Sequence, residues 1–176
     1  MTDIDELIVE MINNGLPLEK ELINALKTVK IEDFVERGYE QFYLDNPVEF
    51  MKTSKGIVKN ISAPHMLAIL LHHLEIKMGQ KVLLVGSKGG YLAAILDQLL
   101  GEDGIITIIE PHVEVLEYTR NTLEKYFSKG VIRVLSISDF DYNEDSAKEF
   151  DRVLITGAVR EIPDFLNISS REGSFI

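Results

Sequence analysis

Apolar residues recur at helical spacing twice near the start of the chain. In "TDIDELIVEMINNG", Ile4, Leu7, Ile8, Met11 and Ile12 share one face, with Thr2 placed as N-cap and Gly15 as the stop. Pro17 then suits the first turn of a second helix, "LEKELINALKTV", whose Leu22, Ile23, Leu26 and Val29 form an apolar stripe. The stretch "FVERGYEQFYLDNPVEFMKTSKGIVKN" shows no sustained period and is broken by Pro47 and Gly56, so it reads as a long irregular loop of the kind that often carries function. From Pro64 the pattern is regular. A helix to about Leu74 is followed by a strand "KVLLVG", a helix "YLAAILDQLL", a strand "GIITIIE", a helix "VEVLEYTRNTLEKYF", and strands "VIRVLS" and "DRVLIT". Near-continuous apolar strands alternating with helices predict an α/β fold, a mostly parallel sheet with helices on both faces. The two opening helices pack on it as a small N-terminal helical cap. The expected division is a cap with a substrate-side loop over residues 1–60 and the sheet domain over residues 61–176.

Composition narrows the function classes. A chain of 176 residues is long enough for one domain with its own core. It has no cysteine, which excludes disulfides, thiolate catalysis and cysteine zinc sites. Lys+Arg 18 against Asp+Glu 29 gives a formal charge of −11, which disfavours binding to a phosphate backbone, so no nucleic-acid partner is expected. No stretch has the run of apolar residues that a membrane helix needs, and "MTDIDELIVE" is acidic, unlike a secretory signal. A cytoplasmic protein without a membrane partner is expected. No histidine and carboxylate cluster has ligand spacing, so no metal is expected.

In an open parallel sheet, ligands bind beyond the carboxyl ends of the strands, where the winding direction reverses. Gly86-Ser87-Lys88-Gly89-Gly90 follows the first strand of the sheet and leads directly into a helix. Glu110, followed by Pro111, ends the second strand, about 20 residues downstream, where a carboxylate can accept both ribose hydroxyls. "SISDFDYNED" follows the third strand and offers Asp139 for an exocyclic amine and Phe140 as an aromatic face. Singly, each has an ordinary structural reading: a strand-to-helix turn, a solvated strand end, an acidic surface loop. In this order on successive strands they read together as an adenosine site. The G-x-G-x-x-G spacing of a dinucleotide site is absent.

The segment "NISAPHMLAILLHHLEIKMGQKVLLVGSKGGYLAAIL" resembles the protein-L-isoaspartate O-methyltransferase family, in which a "TISAPHM" segment precedes a "VLEIGTGSGY" loop. "FDRVLITGAVREIP" is similar to that family's "YDRI" strand and the Thr-Ala-Ala stretch and "IP" pair after it, and "IEDFV" to its "VPRE-FV" segment. The resemblance implies a Rossmann-like methyltransferase domain and methyl transfer from S-adenosylmethionine to the α-carboxylate of isoaspartyl residues in damaged proteins or peptides, which is a repair reaction. It implies Ser62 as the active-site hydroxyl, with His65 and Met66 lining the same pocket, and as cofactor-binding residues Ile61 and His65, Gly86, Ser87, Gly89 and Gly90 along the methionine part, Glu110 and Pro111 at the ribose, and Asp139 and Phe140 at the adenine. Ser62 read alone is a helix N-cap before Pro64. His72 and His73 read as surface or packing residues.

The chain departs from the family pattern at several places. The acid of "VLEIG" is Leu84, the second glycine of "GTGSG" is Lys88, the third loop lacks its glycines around Asp139, and "GQTIS" has become "VKNIS", with Lys59 and Asn60 beside Ser62. These departures carry a second reading, a relative that keeps the fold for binding or assembly without catalysis; a third is a methyltransferase for a different substrate. The sequence ends at Ile176, where the family continues with further strands, so an uncovered sheet edge and pairing with a second copy through it are also expected.

Overall fold

Asp3 caps the first helix, α1 (Ile4–Asn13), by accepting from the backbone N–H groups of Asp5 and Glu6 at 2.9 and 3.0 Å. The second helix, α2 (Lys20–Thr28), starts three residues beyond Pro17, after an N-cap Glu19 that makes no side-chain cap bond. The computed structural model describes residues 3–140 and 150–157. Thr2, the acidic loop beyond Phe140 and the C-terminal sheet edge lie outside the described residues.

The segment read as an irregular loop contains more order than its sequence suggested. Tyr39–Leu44 forms a 3-10 helix, bracketed by Gly38 and Asp45 in left-handed conformations. An antiparallel hairpin follows, β1 (Val48–Lys52) with β2 (Val58–Ile61), carrying an irregularity between Glu49 and Met51. Val48 and Phe50 on β1 and Ile61 on β2 are its buried positions, so only one short alternation marks it in the sequence.

Beyond Pro64 the expected elements are present: α3 (Pro64–Leu74), β3 (Lys81–Val85), α4 (Tyr91–Leu100), β4 (Ile105–Glu110), α5 (Val113–Glu124), β5 (Val131–Ser136) and β6 (Arg152–Ile155). The four sheet strands are parallel in the order β5-β4-β3-β6. Successive strands move from β3 to β5 in one direction, and the chain then returns to the other side of β3 with β6. The winding therefore reverses at β3/β6, the place where open sheets leave a crevice at their carboxyl ends.

Side chains alternate between two cores, as the period of a strand requires. Val82, Leu84, Ile106 and Ile108 join the large cluster that also takes in Leu7, Leu22, Phe34, Leu67 and Ile95, so the N-terminal helices share a core with the sheet. Leu83 and Ile109 face the other way, into a smaller cluster with Phe140, Phe150 and Val153. Tyr91, the first residue of α4, is fully buried and meets Phe34 and Phe42 edge-on at centroid distances of 5.4 and 5.2 Å. These rings lock the N-terminal region onto the residue that follows the glycine loop.

Polar contacts at its C-terminal end and on its surface tie α3 in place. The Arg152 guanidinium, buried on β6, donates to the Leu74 and Glu75 carbonyls at 2.6 and 3.4 Å, the end of α3 where a cation suits the helix dipole. On the surface His72 pairs with Glu19 across the α2–α3 gap. Partial burial alone raises the Glu19 pKa, but hydrogen bonds from His72 and the backbone, together with the His72 charge, outweigh it and leave Glu19 below 4.5. A depressed carboxyl contributes stability that is present above its unfolded value and lost as pH falls through the folded one. A Glu19→Gln variant is therefore expected to be slightly less stable than wild type above pH 4.5 and to converge with it in acid, as read by denaturant midpoints across pH. No helix among the described residues is long and apolar enough to cross a membrane.

Candidate active site

The carboxyl ends of β3, β4 and β6 converge on one cavity of about 460 Å³. Its floor comes from Gly86 after β3, Glu110 and Pro111 at the end of β4, and Thr156 and Gly157 after β6, and its wall from Phe50, Lys59 and Asn60 of the hairpin. The volume lies within the roughly 300–1,000 Å³ of small-molecule sites.

Glu110 is nearly fully buried, yet its carboxylate is well supplied with donors. Oε2 accepts from the Ser87 backbone N–H and the Ser87 hydroxyl, both at 2.9 Å, and Oε1 accepts from the His112 backbone N–H at 3.0 Å. The Thr119 hydroxyl of α5 donates in turn to Ser87 Oγ at 2.7 Å, which extends the chain of donors one step further. A carboxylate has about four lone-pair sites. Three are taken by the protein, which leaves Oε1 with capacity for one more donor. Such a fixed acceptor at a strand end fits the ribose of an adenosyl group, and the arrangement needs no reorganisation to bind one.

The glycine loop is built from left-handed residues. Gly86, Lys88, Gly89 and Gly90 all have positive φ, at +90°, +47°, +67° and +95°. Gly86 is required by proximity as well: a Cβ there would lie 2.5 Å from Thr156 Oγ1, which donates to the Val85 and Gly86 carbonyls at 3.1 and 2.9 Å. Lys88 holds a conformation that a β-carbon penalises by roughly 1 kcal/mol. Its position is one where glycine is the natural residue.

The predicted site residues divide into distinct places. Gly86, Glu110 and Pro111 line the cavity. Ser87 lies fully buried behind it, as the residue that orients Glu110. Gly89 and Gly90 face the protein's own side chains: a Cβ at the first would meet the Phe50 ring at 3.0 Å, and at the second Leu123 Cγ at 3.0 Å. They let the hairpin and α5 approach the loop closely. Phe140 is buried against Phe150 in the smaller core, with ring centroids 6.4 Å apart, while Asp139 is exposed and its backbone N–H donates to Ser136 Oγ at 3.2 Å.

Ile61, fully buried, ends β2, and Ser62 and Ala63 are the two-residue joint before α3. Ala63, not Ser62, is the N-cap of α3, and it makes no side-chain cap bond. Among the described residues the half-buried Ser62 hydroxyl has no hydrogen bond, and none of Ile61, Ser62 and His65 lines the cavity. Asp45 performs the capping from a distance. Its Oδ1 accepts from the His65 backbone N–H at 2.9 Å and its Oδ2 lies 2.8 Å from His65 Nδ1, so one carboxylate anchors both the start of the helix and the imidazole. Met66 is exposed.

The hairpin is held beside the cavity from the other side. Ser54, in its turn, donates through its backbone N–H and its hydroxyl to the two carboxylate oxygens of Glu114 at 2.7 and 2.8 Å, and these bonds keep the Glu114 pKa below its ordinary value. Thr119, Asp45, Thr156 and Phe50 were not identified from sequence. Thr119 left the clearest trace, a hydroxyl on the core-facing side of an amphipathic helix. Asp45 and Thr156 act over long chain separations, which no local pattern encodes. Leu84, at the position of the family's acid, is fully buried in the large core and brings no charge to the cavity. Among the described residues no three His, Cys, Asp or Glu side chains cluster as metal ligands.

Comparison with known proteins gives the family. Residues 2–174 match the family described as Protein-L-isoaspartate(D-aspartate) O-methyltransferase (PCMT). A protein-L-isoaspartate O-methyltransferase of Methanococcus maripaludis strain C7 is 31% identical over 177 aligned positions, covering 100% of this chain and 80% of the relative. One from Ignicoccus hospitalis is 33% identical, covering 92% of this chain and 74% of the relative. Among solved structures, a protein-L-isoaspartate O-methyltransferase superposes with a TM-score of 0.80 at 18% identity, over 98% of this chain and 53% of that one. A Plasmodium falciparum protein of the same description, in complex with S-adenosyl-L-homocysteine, gives 0.77 at 21% identity, over 99% of this chain and 82% of that one. Both structural likenesses support a Rossmann-like methyltransferase fold. With a family match over nearly its whole length and a cavity at the switch point of the sheet, the chain belongs to the protein-L-isoaspartate (D-aspartate) O-methyltransferase family.

Proposed function

We propose that this protein transfers a methyl group from S-adenosylmethionine to the carboxylate of isoaspartyl residues in damaged proteins or peptides. The observation that carries this reading is the cavity at the β3/β6 switch point, with Glu110 fixed at its edge and one acceptor site left open. The bound cofactor supplies an electrophilic methyl group on a sulfonium whose leaving group is a neutral thioether.

The protein's own residues have a modest chemical task. A carboxylate is already a nucleophile at neutral pH, so these residues need only orient it toward the methyl group that the cofactor would supply, and no proton has to be removed. Alignment then dominates the rate. In this reading Glu110 holds the ribose, Ser87 and Thr119 hold Glu110, and the Gly86 turn brings backbone close to the ligand. Pro111 adjoins the ribose, Gly89 and Gly90 shape the loop from behind, and the family resemblance assigns the adenine to Asp139 and Phe140, although neither lines the cavity and the Phe140 ring is buried in the smaller core. Ser62 donates a hydrogen bond to the substrate carboxylate, with Ile61 and the Asp45-anchored His65 fixing the joint on either side of it. Residues 1–60 supply the substrate-side cap and residues 61–176 the cofactor-binding unit. A net charge of −11 weighs against nucleic-acid substrates, and the acidic N-terminal stretch, unlike a secretory signal, supports a cytoplasmic setting.

The test is transfer of radiolabelled methyl to an isoaspartyl peptide, with the corresponding aspartyl peptide as control. Label on the isoaspartyl peptide alone is expected, and label on neither excludes the reading. A Ser62→Ala variant loses one hydrogen bond to a charged group and is expected to lower kcat by roughly tenfold to a hundredfold while leaving cofactor affinity unchanged.

A further inference from the structure

The cavity wall carries two lysines and few means of neutralising them. Lys88, half-buried, projects from the glycine loop and Lys59 from β2, and both line the same cavity. Among the described residues neither forms an ion pair. The carboxylate that shares the lining, Glu110, is already occupied by Ser87 and His112. Burial pushes the Lys88 ammonium toward its neutral form, Lys59 adds to that, and Glu110 opposes it only in part. Two ammonium groups facing one partly desolvated space repel each other, and an anion between them relieves both costs. Lys88 also keeps a left-handed backbone that glycine would adopt without strain.

We propose that the Lys88 ammonium, with Lys59 beside it, binds the α-carboxylate at the amino-acid end of the cofactor, so that this pocket selects adenosyl ligands by that carboxylate rather than by the neighbouring amine. The proposal rests on the methyltransferase reading above. It names the part of the cofactor that this chain's own residues grip. Recognition here is inverted relative to a pocket with an acid at the Leu84 position, because the buried aliphatic side chain of Leu84 offers the amine no partner.

Calorimetric titration of the whole chain tests it with four probes: S-adenosylhomocysteine, its deaminated analogue, its decarboxylated analogue, and 5′-methylthioadenosine, which lacks both groups. Wild type is expected to bind the first two within a few-fold of each other and the decarboxylated analogue at least roughly tenfold more weakly, the weight of one charge-assisted contact. Lys88→Met is expected to abolish the difference and Lys88→Arg to retain most of it. The wild-type comparison alone decides the matter if a variant fails to fold. Equal affinity of wild type for the deaminated and decarboxylated analogues overturns the proposal and leaves the methyltransferase reading standing. No heat with any of the four, methylthioadenosine included, overturns both.

Discussion

Replacing Glu110 by alanine is expected to abolish S-adenosylhomocysteine binding and to lower stability by about 2–4 kcal/mol. Both effects have one cause. Without the carboxylate, the fully buried Ser87 N–H and hydroxyl lose their acceptor, and the His112 N–H loses its protein partner as well. The Thr119 hydroxyl still has Ser87 Oγ to donate to, so the damage stops one residue short of α5. Glu110→Gln keeps an acceptor oxygen of the same shape, so it is expected to lose about half as much stability while still impairing ribose binding. Urea denaturation with an unchanged slope, read beside calorimetry on the same samples, separates the two effects. Wild-type affinity in a folded Glu110→Ala protein would remove Glu110 from the cofactor site.

Replacing Asp97 by alanine is expected to have the largest effect on stability, about 3–5 kcal/mol, at a residue with no part in the chemistry. Asp97 is buried on α4, and its carboxylate collects the segment between α5 and β5: it accepts from the backbone N–H groups of Lys129 and Gly130 at 2.8 and 2.9 Å and from the Tyr126 hydroxyl at 3.1 Å. Tyr126 also donates to the Ala94 carbonyl and accepts from Gln98, and burial is the main reason its pKa is pushed up to about 12. Asp97→Asn retains an acceptor and is expected to lose less than half as much. The check is the thermal or urea midpoint of both variants. A Asp97→Ala protein within 1 kcal/mol of wild type, on the scale where buried unpaired groups cost about 1–3 kcal/mol each, would mean that water replaces the carboxylate.

The order of helices and strands after Pro64 was legible because each element announces itself locally. β3 and β4 are buried along nearly their whole length and read as apolar runs; α4 begins at the tyrosine after the glycines and ends at Gly101, as its sequence indicates. Elements whose determinants lie elsewhere in the chain were less legible. The β1–β2 hairpin has one short alternation, Val48 and Phe50 on β1, with Ile61 buried at the end of β2, and is completed by Glu114, 60 residues away from Ser54. The N-terminus of α3 shows the same limit. Ser before Ala-Pro looks like a cap, yet Asp45 takes that role from 20 residues upstream and leaves Ser62 unbonded.

What the sequence by itself determined was the class of fold, the family and the positions of Gly86 and Glu110 at successive strand ends, because strand burial, turn chemistry and motif spacing are properties of short segments. What only the tertiary structure decided was how those positions are used. Ser87, Gly89 and Gly90 lie in the same loop as Gly86 but face Glu110, Phe50 and Leu123 instead of the cavity, while Lys88 lines it together with Lys59. Which way a residue of a tight turn points, and what charge it meets there, depends on packing between segments far apart in the chain, and local sequence carries no record of it.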